Sequence, residues 1–132
     1  MKLKFLFILA IVLISCESEE NELGPNFADS NPNDVEIRIA NKSSFIIDSV
    51  YLNTSGGEHN YNSIRKFQTT GYKSFDFAYP IFNLKFYVNA KEFQITPIDY
   101  VGEEKIDNGR YTLEVKNVDT SNVSFTFQLK EN

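Results

Sequence analysis

Cysteine, histidine and tryptophan are nearly missing from this sequence, which has one, one and none of them among 132 residues. With Cys16 as the only thiol, no intrachain disulfide can form, so the folded part must be stabilised by packing alone. With His59 as the only histidine and no second cysteine to join it, a zinc site is not expected. The apolar run of residues 5–14 is also too short for a membrane-spanning helix, which needs about 20 such residues.

Positive charge is scarce as well. The 13 lysines and arginines are outnumbered by 18 aspartates and glutamates, which gives a net charge of −5. Removal of Lys2 and Lys4 with an amino-terminal signal would change −5 to −7, because two positive charges are lost. A negative balance argues against nucleic acid, whose phosphates bind clustered basic side chains, and against attraction to an anionic membrane surface. We therefore expect no nucleic-acid partner, and no motif predicts a cofactor or a metal.

The amino terminus has the layout of a secretory signal. Lys2 and Lys4 form a short basic region, and ten apolar residues without a charge follow at positions 5–14. Ser15, a small residue, then stands directly before Cys16. A basic region, an apolar region of this length and a small residue at the cleavage site are typical of a cleaved signal peptide. We therefore predict a signal peptide over residues 1–15.

Residues 13–16, Leu-Ile-Ser-Cys, resemble the lipobox of bacterial lipoproteins. The resemblance implies that the Cys16 thiol is alkylated with diacylglycerol, that the peptide is cut before Cys16, and that the new amino terminus receives an acyl chain such as palmitate. One acyl chain gives only marginal binding to a bilayer, whereas two or three hold a protein there stably. The expected partner of Cys16 is therefore a membrane, reached through lipid.

Residues 16–34 predict an acidic tether, because Leu23 and Phe27 are its only large apolar side chains and it contains Pro25 and Pro32. Such a segment cannot bury enough surface to offset the entropy of ordering. Residues 18–20, Ser-Glu-Glu, resemble the export signal that sends lipoproteins of Bacteroidota-type bacteria to the outer face of the outer membrane. We expect a lipid-anchored, surface-exposed protein, and the alternative is the periplasmic face.

Alternation of apolar and polar residues predicts an all-β domain over residues 35–132, with about seven short strands and no long helix. The predicted strands cover residues 35–40, 45–52, 73–79, 82–89, 92–98, 111–116 and 123–130. A slip of phase at Asp48 and Ser49 predicts a bulge in the second strand. Pro80 is expected to end the third. Residues 53–60, which contain Gly56 and Gly57, and residues 99–108 are predicted to be loops.

The motif Asp107-x-Gly109-x-Tyr111-x-Leu113 resembles the tyrosine corner of immunoglobulin-like sandwiches. The resemblance implies a two-sheet antiparallel sandwich in which the Tyr111 hydroxyl reaches the backbone. Leu113 stands where true immunoglobulin domains have a cysteine, and the covering tryptophan is missing, so a fibronectin-type or transthyretin-type sandwich stays open. The whole chain also resembles small Bacteroidota lipoproteins with one such domain, a family for which no activity is implied.

The candidate binding residues lie in the predicted loops and among the tyrosines. Exposed tyrosines stack on sugar rings and anchor protein interfaces, which singles out Tyr87 and Tyr100. The loop candidates are Gly57, His59, Asp99 and Glu103. The carboxylates of residues 99–108 do not have the spacing of a known calcium loop, so no metal is assigned to them.

The leading functional hypothesis is a non-catalytic binding or interaction module whose partner is a glycan or an envelope protein. The alternative is a structural subunit of an outer-membrane complex that assembles through an aromatic face. An enzyme is the least favoured, because no nucleophile, base and orienting group occur in a recognisable arrangement.

Overall fold

The structure, a computed structural model, describes residues 33–97 and 103–132. The described residues form eight β-strands and no helix, and accordingly none of them forms a helix long and apolar enough to cross a membrane. The strands are β1 (Val35–Asn41), β2 (Ile47–Ser55), β3 (Glu58–Ile64), β4 (Lys73–Phe75), β5 (Ala78–Val88), β6 (Lys91–Ile95), β7 (Gly109–Asp119) and β8 (Ser124–Glu131).

The strands form two four-stranded sheets. Sheet A has the order β4-β1-β7-β8, and sheet B has the order β3-β2-β5-β6. All paired strands are antiparallel except β1 and β7, which run parallel from Val35 opposite Gly109 to Asn41 opposite Val115. The prediction of an all-β sandwich is confirmed, with eight strands rather than seven.

The additional strand is β3, whose first three residues, 58–60, fall in the stretch that the sequence predicts to be a loop. Residues 53–60 instead complete β2, turn tightly at Gly56 and Gly57, and start β3 with Glu58 opposite Asn53. The prediction of a loop is wrong because the residues that flank the two glycines are polar on an exposed sheet face, where polar side chains are ordinary strand residues.

The order of the strands separates this sandwich from the constant-type immunoglobulin arrangement. In that arrangement the first two strands share a sheet, whereas β1 and β2 lie in different sheets here. The order, with the first strand parallel to the seventh, resembles the transthyretin-type sandwich that the sequence left open. The tyrosine-corner motif therefore predicts a sandwich and a local turn, and it does not determine the order of strands.

The core lies between the sheets and is built from the inward-facing members of each alternating strand. Three phenylalanines, Phe82, Phe86 and Phe93, are almost completely buried there. Phe86 stacks on Phe93 with ring centroids 5.3 Å apart, and Phe125 from sheet A meets Phe86 edge-on at 4.8 Å. Aromatic pairs in these geometries add about 0.5–1.5 kcal/mol each beyond the apolar area that they bury. This aromatic layer takes the place of a disulfide between the sheets.

Two irregular positions distinguish β2 and β5. The pairing of β2 shifts register between Ile47 and Val50 against β3 and between Asp48 and Tyr51 against β5, and Ser49 has φ 49°, so the predicted bulge is confirmed. Pro80 does not end a strand, contrary to the prediction, since it lies within β5. Proline has no N–H to donate to a neighbouring strand. Pro80 is tolerated because the regular β2–β5 pairing is interrupted between Ala78 and Asn83, so no regular inter-strand hydrogen bond is lost there.

The two ends of the sandwich differ in what they carry. At one end the chain enters β1 at Val35, and the β2–β3 turn, residues 76–77 and residues 103–108 surround that point; we call it the proximal end. At the opposite end lie the connections between β1 and β2, β3 and β4, β5 and β6, and β7 and β8; we call it the distal end. The tether predicted from the sequence joins the proximal end.

Candidate functional site

The outer face of sheet B carries Tyr87 and a second tyrosine, Tyr51, which the sequence analysis does not single out. Residues directly opposite one another in adjacent strands point to the same side of a sheet. The pairings Tyr51 with Lys85 and Tyr87 with Glu92 therefore place both rings on the side away from the core. We call this surface the tyrosine face, and it consists of Tyr51, Asn53, Glu58, Asn60, Asn83, Lys85, Tyr87, Glu92 and Gln94.

A carboxylate holds each of the two rings on this face. The Tyr51 hydroxyl donates to Glu58 Oε2 at 2.5 Å, and the Tyr87 hydroxyl donates to Glu92 Oε2 at 2.7 Å. The hydrogen bond to the glutamate raises the pKa of each phenol, because it stabilises the protonated form. Both rings are therefore fixed in orientation and remain neutral around pH 7.

Planar amides occupy the space around the rings. Asn53 Nδ2 donates to the Tyr51 hydroxyl oxygen at 3.2 Å, and Gln94 Nε2 donates to Asn83 Oδ1 at 3.3 Å. An amide offers two donors and an acceptor in one plane. A flat face of fixed aromatic rings and amides has the chemistry to stack on a sugar ring and to bond its hydroxyls.

The remaining described tyrosines serve other purposes. Tyr61 is buried, its hydroxyl donates to the Ile37 carbonyl oxygen across the two sheets at 2.8 Å, and burial raises its pKa. Tyr72 lies against two guanidinium groups of sheet A, with Arg38 Cζ 4.9 Å and Arg110 Cζ 5.0 Å from the ring centroid. The ring of Tyr72 therefore already contacts cationic side chains of the chain itself.

The loop candidates that the structure describes, Gly57, His59 and Glu103, lie at the proximal end and are not brought together with Tyr87. Gly57 lies in the β2–β3 turn, and a Cβ added there would be 3.4 Å from Phe75 Cδ1. His59 on β3 bonds the Ser74 carbonyl oxygen through Nε2 at 2.7 Å and meets Phe75 edge-on. His59 is thus a strand residue that ties sheet B to β4, and its prediction as a loop residue is wrong.

The acidic segment forms the wall of a shallow groove at the same end. The groove has a volume of about 560 Å³ and is lined by Glu104, Asp107, Tyr111 and Glu131, among others. Glu103 precedes it, and Asp107 pairs with Lys105 Nζ at 3.0 Å. In the part of the chain that the structure describes, no group of three or more histidine, cysteine, aspartate or glutamate side chains is placed to hold a metal ion.

The turn that begins β7 has the geometry of a tyrosine corner. The Tyr111 hydroxyl donates to the Asn108 carbonyl oxygen at 3.2 Å. Gly109 has φ 107°, a conformation open to glycine, and an added Cβ would stand 3.1 Å from the Tyr111 ring. Asp107, Gly109 and Tyr111 therefore shape the turn rather than a binding site. Three further candidates, Cys16, Asp99 and Tyr100, lie outside the described residues.

The sequence reasoning missed an apolar surface at the distal end. Among the described residues, the exposed large apolar side chains are Ile46, Phe67 and Val123, which are 48%, 67% and 46% exposed. All three lie in distal connections. The sequence predicts that the last strand begins at Val123, but β8 begins at Ser124 and Val123 is exposed. Ile47 and Phe125 nearby follow the regular phase of their strands, so the sequence gives no signal that Ile46 and Val123 are exposed.

Asn41 fixes the backbone of this distal surface. It is fully buried at the end of β1, and its Nδ2 donates to the carbonyl oxygens of Phe45 at 2.7 Å, Ile64 at 3.2 Å and Arg65 at 3.1 Å. Its Oδ1 accepts from the backbone N–H and the hydroxyl of Ser43. One side chain thereby joins the β1–β2 connection to the end of β3.

The comparisons with known proteins concern the fold. No protein-family model and no curated protein matches the chain. One similar solved structure is that of a protein from Eubacterium rectale, determined by NMR. The match covers 80% of this chain and 96% of the other, with 14% sequence identity and a TM-score of 0.54. At that identity the likeness shows the fold alone, and it agrees with the two-sheet sandwich.

Proposed function

We propose that the chain is a lipid-anchored protein of the cell envelope that displays its β-sandwich as a non-catalytic binding module. The lipobox-like residues 13–16 and the acidic residues 17–34 support the anchor and the tether. The proximal end supports the same arrangement, because the chain enters the sandwich there and the tyrosine face lies along the side of sheet B.

The observation that carries the binding function is the tyrosine face. The hydroxyls of Tyr51 and Tyr87 are bonded to carboxylates, and amides surround the rings. The two side chains are therefore already ordered before a ligand binds, and binding costs little side-chain entropy. Preorganised aromatic groups are the usual anchors of a binding surface. The chemistry fits a neutral glycan, whose rings stack on aromatic side chains and whose hydroxyls bond amides. His59, the residue that an enzyme would use as a base, instead has a ring nitrogen bonded to a backbone carbonyl.

The anchor is tested by replacing the lipid-accepting sulfur. In cells that make the Cys16→Ser protein, the chain should move from the membrane fraction to the soluble or unprocessed fraction, and labelling with radioactive palmitate should disappear. Unchanged membrane association and labelling of the Cys16→Ser protein would refute the lipid anchor.

The binding face is tested with residues 17–132, which contain every buried residue of the described fold. The probes are neutral hexasaccharides of glucose and xylose, titrated by calorimetry and by amide chemical shifts. Tyr87→Ala and Tyr51→Ala should each lower the affinity for the bound sugar about tenfold, the usual loss when an aromatic anchor is truncated. Phe67→Ala is the matched control, because it removes an exposed aromatic ring at the distal end. Equal affinity of all three variants would contradict a glycan site on the tyrosine face.

A second candidate function is a structural subunit of an outer-membrane complex. The exposed Ile46, Phe67 and Val123 favour it, because apolar side chains gathered on one part of a surface are typical of contacts with other molecules. This function predicts that the assembly surface is the distal end and that the tyrosine face is dispensable for assembly.

A further inference from the structure

We propose that the distal end is a docking surface for a partner protein and that it takes an acidic segment carrying apolar side chains. The proposal rests on the second function above, an assembly subunit, and it needs neither a lipid anchor nor a ligand on the tyrosine face. Four observations carry it: the exposed apolar side chains, the backbone at two of them, the charges around them and the grooves between them.

The apolar side chains come from separate connections that meet at one end. Ile46 lies in the β1–β2 connection, Phe67 in the β3–β4 connection and Val123 in the β7–β8 connection. They are the exposed large apolar residues of residues 33–97 and 103–132 taken together. Single exposed apolar residues scattered over a surface need no explanation, whereas a group confined to one end marks a contact site.

Two of these three residues also hold strained backbone conformations. Phe67 has φ 55° and Val123 has φ 51°, in the left-handed region that bulky and β-branched residues rarely adopt. Asparagine or glycine would fit either position with less strain. A turn that served only to reverse the chain would gain stability from such a residue. The apolar side chains are therefore kept at a cost to folding, which is the mark of a functional surface.

The charges around these side chains are opposite in sign to the chain as a whole. Lys42, Arg65 and Lys66 stand at this end and form no ion pair within the described residues, while Lys91 Nζ donates to the Thr120 carbonyl oxygen at 3.0 Å. The carboxylates of Asp48 and Asp119 at this end keep their charge and accept only from neutral donors, Ser63 Oγ and the N–H groups of Ser121 and Asn122, so the four cations outnumber them. A positive rim around an apolar centre is complementary to an acidic partner.

Two adjacent grooves supply the concave part of the surface. They lie on either side of Phe45 and share its ring and Ser44 as walls. One has a volume of about 470 Å³ and is lined by Ile46, Lys66 and the carboxylate of Asp48, which is bonded to Ser63 Oγ. The other has about 310 Å³ and is lined by Lys42 and Phe67. Grooves lined by both apolar and cationic side chains accept the side chains of a peptide, whereas insertion into a bilayer needs protruding apolar tips. An extended peptide places alternate side chains on one face about 7 Å apart, a suitable spacing for adjacent grooves.

The test uses residues 17–132 and fluorescein-labelled peptides of 12 residues, measured by anisotropy. The acidic probe has two leucines two positions apart among glutamates, and matched peptides replace either the glutamates by glutamine or the leucines by glycine. The acidic leucine peptide should bind, and each replacement should weaken binding about tenfold or more. Raising the salt concentration should also weaken it, because the charges of the rim are exposed. Equal binding of all three peptides would overturn the proposal.

Variants of the protein then locate the site. Phe67→Asn and Val123→Asn should each reduce the affinity about tenfold while the melting temperature stays the same or rises, since both relieve strain. The double variant Lys42→Glu with Lys66→Glu should abolish binding of the acidic peptide. Tyr87→Ala is the matched control and should bind as the unaltered chain does. A fall in melting temperature together with unchanged affinity in the asparagine variants would overturn the proposal.

Three other occupants would each refute it. Binding of phosphatidylglycerol vesicles that Phe67→Asn abolishes, with no binding of the peptides, would identify a lipid surface as the occupant. Self-association that Phe67→Asn prevents would identify a second copy. Displacement of the acidic peptide from residues 35–132 by a peptide of residues 17–34 would identify the tether of the chain. These experiments do not depend on the lipid anchor or on glycan binding. If either of those two proposals is refuted, peptide binding at the distal end can still be measured and can still be confirmed or refuted.

Discussion

The proximal and distal ends of this sandwich use opposite chemistry. The proximal end carries Glu103, Glu104 and Asp107, and its lysine at position 105 is paired with Asp107. At the distal end Lys42, Arg65 and Lys66 form no ion pair with any described residue, and Phe67 and its apolar neighbours are exposed. The net charge of −5 for the whole chain therefore does not reveal that the distal end is positively charged. The difference shows that a partner of this protein should be predicted from the local charge of a surface and not from the charge of the chain.

The ends also differ in how their backbones are held. Backbone close to backbone fixes the proximal end, where Asp76 N donates to the Gly56 carbonyl oxygen at 2.9 Å and Ala78 and Ile106 exchange two hydrogen bonds. The distal end has backbone bonds too, such as Asn41 N to the Gln68 carbonyl oxygen at 2.9 Å, but there the buried side chain of Asn41 bonds three further carbonyl oxygens. The distal end should therefore be the one that a single polar substitution loosens, and the proximal end the one that a single added methyl group disrupts.

The largest effect is expected for Asn41→Ala. The substitution leaves the carbonyl oxygens of Phe45 and Ile64 without their donor in a buried place, and an unsatisfied buried polar group costs about 1–3 kcal/mol. We expect a loss of about 3 kcal/mol or more in the free energy of unfolding, measured in urea. Amide hydrogen exchange should speed up first at residues 42–46 and 64–66. Asn60→Ala, at an exposed position on the tyrosine face, is the control and should change stability by less than about 0.5 kcal/mol. Faster exchange at both ends to the same degree would remove the distinction between them.

A smaller effect is expected for Gly56→Ala at the proximal end. An added Cβ would lie 2.1 Å from the Phe77 carbonyl oxygen, so the backbone of the adjacent turn must move. Such overpacking costs about 1–3 kcal/mol, and exchange should speed up at residues 55–58 and 76–78. Gly71→Ala is the matched control, since an added Cβ there meets nothing within 4 Å. If Gly56→Ala and Gly71→Ala have the same urea midpoint, the close approach between Gly56 and the backbone of Phe77 does not contribute to stability as described.

The smallest effect concerns pH and lies in sheet A between the ends. Lys116 Nζ is 2.6 Å and Lys130 Nζ 3.1 Å from the carboxylate oxygens of Glu114, and these bonds lower the pKa of Glu114. The ionised carboxylate therefore stabilises the fold above the ordinary glutamate pKa of about 4.3, and that contribution is lost as the pH falls through the lowered value. Because both lysines are partly exposed, the gain at pH 7 should be below about 1 kcal/mol.

The pH prediction is measured by comparing the unaltered chain with Glu114→Gln in urea between pH 7 and pH 3. The unaltered chain should be the more stable of the two at pH 7, and the difference should shrink as the pH falls. Glu131→Gln is the control at an exposed position with no such pair among the described residues. A difference that grows towards pH 3 would have the wrong sign for a carboxylate with a lowered pKa.

The sequence predicts the regular parts of the fold because burial imposes a period of two on a strand. The alternation in β1, β7 and β8 and the phase slip at Ser49 are visible without a structure. The hairpin at Gly56 is missed, because both of its strands are polar on the exposed face. Pro80 misleads for a different reason, since its effect depends on a register shift that only the pairing of β2 with β5 reveals.

Of the tyrosine face, the sequence predicts only the residue whose position follows from the alternation within a single strand. Tyr87 follows from its phase within β5, and its place on the outer face needs no other element. Tyr51 and the amides join it through pairings of β2 with β3 and β5, which the sequence does not show. The distal surface depends on four connections meeting at one end. Ile46 and Val123 each stand next to strand residues of regular phase, so their exposure could not be read from the pattern.

The most direct test of the difference between the ends is an amide map of ¹⁵N-labelled residues 17–132 titrated with the acidic leucine peptide. The account predicts chemical-shift changes at residues 42–46, 65–69, 89–91 and 119–123, with the proximal residues 103–108 and the tyrosine face unchanged. Changes that centre on residues 103–108 or on Tyr87, or a map without changes at millimolar peptide, would contradict it.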